Sequence, residues 1–241
     1  MRKNRIVIWI LSAVAVALLA AVIVLTCLLV QKHQQEESKL YYDSKCAAYA
    51  VQNQNLAKGQ IVFIGDSITD LYILDDHYGD LPLAVYNRGI SGDFTDGVLA
   101  RLQVSVFDLA PSKVVLMIGT NDVNWGVSND VILQRYEQIV DRIFATLPEV
   151  ELYCMSIIPQ NKQIETYSSI RVEKTTQVIR QLNPQIKALA EEKGAIYLDL
   201  FSHLADENHH LIEAYSDDGL HLNVAGLEVW TGLLKPYLQG A

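Results

Sequence analysis

Cysteine is scarce in this chain of 241 residues: there are three, Cys27, Cys46 and Cys154, and none forms a zinc-type or redox-type spacing with another. No metal site is therefore expected. An oxidising location would allow one bridge, Cys46 to Cys154, although free thiols are the simpler expectation. Positive charge is also in short supply. Nineteen Lys and Arg face 28 Asp and Glu, for a net charge of −9. Residues 1–32 contribute +4 through Arg2, Lys3, Arg5 and Lys32 and hold no acid, which leaves −13 on the remainder. A surface of that sign repels phosphate backbones, so nucleic acid is not an expected partner. Internal repeats and low-complexity tracts are absent as well, and the chain beyond its N-terminal stretch is long enough for one medium-sized domain with a substantial core.

What the chain does have at its start is an apolar run. Ile6 to Val30 contains 25 residues without a charged side chain, flanked by the basic tail 1–5 and by the polar stretch Gln31–Glu37. That length crosses a bilayer as a helix. A cleaved signal peptide has a shorter apolar region ending in a small-x-small site, and Val24-Leu25-Thr26-Cys27 is a poor lipoprotein site because Leu28-Leu29-Val30 continues the run. The expectation is an uncleaved anchor with four parts to the chain: a cytoplasmic basic tail (1–5), a transmembrane signal-anchor helix (6–30), a helical stalk (31–58) and a folded domain (59–241). Retention of the basic tail in the cytoplasm places the domain on the extracytoplasmic side of the cell membrane.

Beyond the stalk, apolar segments alternate with helical ones. Strands are predicted at Val62–Gly65, Leu83–Tyr86, Lys113–Ile118, Leu152–Ile158 and Ala195–Leu200. Helical spacing covers Phe94–Leu109, Ser128 or Asn129 to Leu147, about Ser169 to Lys193 with an interruption near Asn183-Pro184, and about Asn223 to Leu238. Strands alternating with helices imply right-handed βαβ units and an α/β fold whose parallel sheet is covered on both faces.

The polar punctuation falls where such sheets put their chemistry, outside the C-terminal ends of the strands. Ser67 follows the first strand in Gly65-Asp66-Ser67, Gly89 follows the second in Asn87-Arg88-Gly89-Ile90-Ser91-Gly92, and Asn121 follows the third in Gly119-Thr120-Asn121-Asp122. A fourth element, Asp217-Asp218-Gly219-Leu220-His221, precedes the last helix. A serine hydroxyl is a weak nucleophile until a base takes its proton, and that base must be held in the right tautomer. His221 is a candidate base and Asp218, three residues before it, a candidate orienting carboxylate. Each residue also has a plainer reading: Ser67 as a helix N-cap, Gly89 as a turn glycine, Asn121 as a loop residue, and Asp66, Asp70, Asp122 and Asp217 as turn or capping acids.

Together the four blocks resemble those of the SGNH hydrolases, also called GDSL-type esterases and lipases, over about residues 60–238, and no block position departs from the pattern. The resemblance implies a flavodoxin-like three-layer α/β/α sandwich with a five-stranded parallel sheet, preceded here by the transmembrane helix. It also implies ester hydrolysis through an acyl-enzyme, with no cofactor. Ser67 would be the nucleophile, His221 the base and Asp218 its partner, and an oxyanion hole would be formed by the N–H groups of Ser67 and Gly89 and the side-chain amide of Asn121. The substrate is expected to be a small-molecule or glycan ester with a short, acetyl-like acyl group, since the rim connections are short, with Trp125, Tyr167 and Pro159-Gln160-Asn161 as candidate pocket walls. An O-acyltransferase would use the same triad with a sugar hydroxyl as acceptor. A non-catalytic surface binding module would need only the fold.

Overall fold

Helix α1 (Arg2–Gln52) leads into the fold, and the computed structural model describes residues 2–161, 164 and 172–240. Two compact units divide the chain, Met1–Ser44 and Lys45–Ala241. In the first, the side chains from Leu18 to Val30 are all exposed. This segment belongs to a helix long and apolar enough to cross a membrane. It then becomes polar, and Lys32–Glu36, His33–Glu37 and Lys39–Asp43 pair one turn apart along it. The helix ends at Gln52, short of the expected residue 58.

In the second unit, five parallel strands, β1 (Ile61–Gly65), β2 (Val85–Gly89), β3 (Lys113–Met117), β4 (Glu151–Met155) and β5 (Ile196–Leu198), form one sheet in the order β2-β1-β3-β4-β5. After β2 the chain crosses over β1 to build β3 on its other side. The switch point therefore lies between β1 and β3, where the two connections leave in opposite directions and open a crevice. Alternation along the strands sends side chains to two cores. Val62, Ile64, Val114, Leu116, Leu152 and Cys154 meet helices α4 (Thr95–Ala100), α5 (Leu102–Ser105), α7 (Asn129–Thr146) and α8 (Val172–Glu192) through Val98, Leu102, Ile139, Ile143, Leu182 and Ile186. Ile61, Phe63, Val115, Met117, Tyr153 and Met155 meet α3 (Leu74–Tyr78), α9 (Leu200–Leu204) and α10 (Val224–Gln239) through Tyr78, Leu204, Trp230 and Leu234. The result is the expected three-layer α/β/α sandwich. The cysteines form no disulfide, and Cys154 is buried.

Three expectations need correction. β2 starts two residues late and runs through Asn87 and Arg88 to Gly89, in register with Ile61–Gly65 of β1. These polar residues suit a strand because Asn87 Nδ2 donates to the carbonyls of Thr69 (2.6 Å) and Tyr72 (2.9 Å), while Arg88 lies over the Tyr49 ring. The helix expected at 94–109 is broken at Arg101, whose backbone leaves helical geometry and whose guanidinium is buried beneath the strand ends. The interruption expected at Asn183-Pro184 is absent: α8 is continuous with Pro184 inside it. Proline normally costs a helix about 3 kcal/mol. Here the adjacent Asn183 hydrogen-bonds both the N–H and the C=O of Ile157 at 2.9 Å, which ties this part of the helix to the chain leaving β4.

Candidate active site

β1 stops at Gly65, and helix α2 (Ser67–Asp70) begins two residues later. Its N-cap is Asp66, which accepts the Ile68 N–H at 3.0 Å. The capping role open to Ser67 in the sequence is thus taken by its neighbour, and the Ser67 hydroxyl is left for another partner. That partner is His221, whose Nε2 lies 2.9 Å from Ser67 Oγ.

His221 sits in the loop before α10, and its Nδ1 is 2.7 Å from Asp218 Oδ2. The other carboxylate oxygen accepts the N–H groups of His221 (2.7 Å) and Leu220 (2.8 Å). Burial pushes the Asp218 carboxyl upward, but the His221 ring and these two N–H groups outweigh it and hold the group below its usual range. An ionised Asp218 requires its proton donor on Nδ1 of the neutral ring, which leaves Nε2 as an acceptor facing the serine. A serine, an imidazole and a carboxylate thus share one hydrogen-bonded chain at the mouth of the crevice.

Asn121 arrives from the opposite side of the switch point, on helix α6 (Thr120–Asn124) after β3. Its Nδ2 donates to the Asp93 carbonyl at 2.8 Å, so one N–H holds the side chain against the β2–α4 loop, and the second finds no acceptor among the described residues. Asp122, read from the sequence as a turn acid, is fully buried and joins α6 to α4 by accepting the Thr95 N–H (2.9 Å) and hydroxyl (2.6 Å).

The glycine loop differs from expectation. The Gly89 N–H already donates to Asn87 Oδ1 at 2.8 Å. Glycine is required at this position for close packing, because a Cβ there would fall 2.2 Å from the Asp70 nitrogen. Gly92, three residues on, has φ +81° with nothing within 4 Å of an added Cβ, and among the described residues its N–H finds no acceptor. The sequence offered a signal for it, a second glycine in the same block, but not which N–H was spent.

Two further residues escaped the sequence reading. Arg101 donates to the Asp93 carboxylate (2.8 Å) and to the carbonyls of Arg88 (2.6 Å) and Gly65 (2.9 Å), joining the ends of β1 and β2 from below. Burial lifts Asp93 to about 6 despite Arg101, and lifts Asp66 to about 7. Of the expected pocket walls, Trp125 is exposed, Gln160 is wholly buried, and Tyr167 lies outside the described residues. Among the described residues no group of three His, Cys, Asp or Glu is placed to hold a metal ion.

A doubly wound α/β/α sandwich carrying this serine–histidine–carboxylate chain at its switch point belongs with the hydrolases of that architecture. The family is specific: this chain belongs to the GDSL-like Lipase/Acylhydrolase family, whose profile matches residues 63–229. The chain is 30% identical over 144 residues to human "Platelet-activating factor acetylhydrolase IB subunit alpha1", covering 58% of each. It is 26% identical over 168 residues to the acetylxylan esterase of Geobacillus stearothermophilus, covering 58% of this chain and 75% of that one. The first of these matches thus spans little more than half of the relative's length. Among solved structures, a Streptococcus pneumoniae protein assigned as a platelet activating factor superposes with TM-score 0.81 at 28% identity, covering 87% of this chain and 98% of the other.

Proposed function

We propose that this protein is a membrane-anchored serine esterase that removes short acyl groups, acetyl foremost, from small-molecule or carbohydrate esters on the extracytoplasmic side of the cell membrane. The observation that carries the reading is the His221 ring, within hydrogen-bond distance of both Ser67 Oγ and Asp218 Oδ2. Family membership supports ester hydrolysis. The acetyl preference is supported by relatives named as an acetylhydrolase and an acetylxylan esterase. The exposed apolar segment of α1 supports the anchor.

In the proposed mechanism, His221 Nε2 takes the Ser67 proton as Oγ attacks the ester carbonyl, and Asp218 stabilises the imidazolium. The tetrahedral oxyanion is received by the Ser67 N–H at the start of α2, the spare Asn121 amide hydrogen and an N–H of the β2–α4 loop. Gly89 can supply that third donor only by releasing Asn87, whereas the Gly92 N–H is unspent, so Gly92 is the better candidate. Each preorganised donor is worth about 3 kcal/mol in the transition state. His221 then returns the proton to the departing alcohol oxygen. Water, deprotonated by the same ring, attacks the acyl-enzyme and releases the acid.

The test is hydrolysis of p-nitrophenyl acetate, butyrate and octanoate by the full chain in detergent, with Ser67→Ala alongside and acetylated xylan as a carbohydrate ester. Turnover that falls with acyl length and vanishes in Ser67→Ala is expected. Turnover that survives in the variant, or is absent from wild type on every ester, would overturn the reading.

A further inference from the structure

The last turns of α1, from Lys45 onward, belong to the second unit, and they grip the loop that carries the oxyanion donor. Tyr49 is 4% exposed, and its hydroxyl donates to the Gly89 carbonyl at 2.5 Å. One turn earlier, Lys45 Nζ lies 2.6 Å from Asp70 Oδ1, at the end of the helix that begins with Ser67. The other oxygen of Asp70 accepts both the N–H (3.0 Å) and the hydroxyl (2.7 Å) of Ser91. Arg88 closes the arrangement, with its guanidinium carbon 4.6 Å from the centre of the Tyr49 ring and Nη2 donating to Asn53 Oδ1 at 2.9 Å. Asn53 in turn donates to the Val104 carbonyl at 2.7 Å.

We propose that Tyr49 and Lys45 are positioning residues for the oxyanion hole, so that the C-terminal turns of α1 are a working part of the catalytic centre and not only a tether. The inference rests on the esterase reading above. Both grips land on the segment Gly89–Ser91, Tyr49 directly and Lys45 through Asp70. With the Gly89 carbonyl and the Ser91 N–H and hydroxyl all held, the two peptides flanking Ile90 have little freedom to rotate, and the next peptide, which carries the Gly92 N–H, leaves from a fixed Ser91. Asp70 carries the second constraint from the opposite side, because it fixes the loop relative to α2, which supplies Ser67 and its N–H. A donor misplaced by about 1 Å costs up to about 100-fold in rate, so small losses of this grip register in turnover. Substrate binding does not depend on the donor in the same way, since a hole built for the tetrahedral oxygen meets the planar carbonyl poorly.

The experiment uses the full chain in detergent with Tyr49→Phe, Lys45→Met and Lys45→Arg, each assayed on p-nitrophenyl acetate and with an aryl trifluoromethyl ketone. That ketone adds the serine oxygen to form a tetrahedral oxyanion. Tyr49→Phe and Lys45→Met should each lower kcat by about 5- to 50-fold with KM within about twofold, and weaken the ketone by a similar factor. Lys45→Arg should recover most of the loss. Thermal unfolding is followed in parallel. Unchanged kcat and unchanged ketone affinity in both Tyr49→Phe and Lys45→Met would overturn the proposal. So would a fall in kcat that tracks the loss of unfolding temperature while ketone affinity stays at the wild-type value. A wild type without Ser67-dependent turnover would instead remove the esterase reading and this inference with it, and the unmutated chain alone reports that outcome.

Discussion

Replacing Asp218 by asparagine tests the tautomer argument with almost no change in shape. The new amide has two orientations, and the surroundings choose between them. Oδ1 of Asp218 accepts two backbone N–H groups, at 2.7 and 2.8 Å. Turning the amide nitrogen toward them would leave both donors unmet, at a cost of about 1–3 kcal/mol each. The amide oxygen therefore stays on that side and the NH2 faces His221 Nδ1, 2.7 Å away in the native structure. A donor there forces the ring proton onto Nε2, where it points at Ser67 Oγ and can no longer accept the serine proton. Trapping the wrong tautomer costs about 10⁴-fold in kcat in serine hydrolases, or about 5 kcal/mol of transition-state stabilisation. The assay is p-nitrophenyl acetate hydrolysis across pH, with the unfolding temperature of the variant measured beside it. If Asp218→Asn kept activity within tenfold of wild type while Ser67→Ala remained dead, Asp218 would not be setting the tautomer and the role given to it would be wrong.

Asn121→Ala should lower kcat by about 10²- to 10³-fold with KM changed less than about threefold, since its free amide hydrogen matters mainly to the tetrahedral state; a loss confined to KM would assign it to substrate binding instead. Asp66 gives a pH signature in stability. Its carboxyl is held at about 7 in the fold against 3.8 ordinarily, so the folded state keeps a proton that the unfolded chain gives up, and stability present at pH 4 is lost as pH rises toward 7. The unfolding temperature of Asp66→Asn relative to wild type should therefore rise between those pH values and level off above; a difference independent of pH would refute the assignment. Asn183→Leu strips the Ile157 N–H and C=O of their partners inside the core and should cost about 2–4 kcal/mol in urea unfolding, with the midpoint falling at constant m-value. A midpoint shift worth under about 0.5 kcal/mol would mean that α8 does not need this tie around Pro184.

Much of the architecture could be read directly because burial on both faces leaves a strong mark. β1 is a continuous apolar run and β3 is one from Val114 onward, which a sheet covered by helices on both sides demands. β2 misled because its last residues are polar, and their suitability for a strand depends on carbonyls at Thr69 and Tyr72 that no local pattern reveals. The break at Arg101 was hidden for the same reason, since a guanidinium buried under two strand ends makes contacts 13 and 36 residues back along the chain. At the rim, Ser67 and Asn121 were placed by the glycine punctuation after their strands, and Asp218 and His221 by their three-residue separation. The spent N–H of Gly89 was not legible, because it depends on the direction in which one Asn87 side chain points. Tyr49 was equally silent: its spacing in α1 is unremarkable, and its partner lies 40 residues away.

The loop that carries Asp218 and His221 is held differently from everything it faces. Ser67 and Asn121 sit on helices rooted in sheet strands, whereas this loop makes most of its polar bonds within itself, through Ser216 and Asp218. Besides the His221–Ser67 contact, it reaches another part of the rim through the Asn161 N–H, which donates to the Gly219 carbonyl at 2.8 Å. Such a segment opens at a lower free energy than the sheet melts. On warming, the loop carrying Asp218 and His221 is therefore expected to leave Ser67 while β1 to β5 are still paired, so that activity should fade before the circular dichroism of the fold changes. A heated sample that has stopped turning over should still be folded, and cooling should restore its activity.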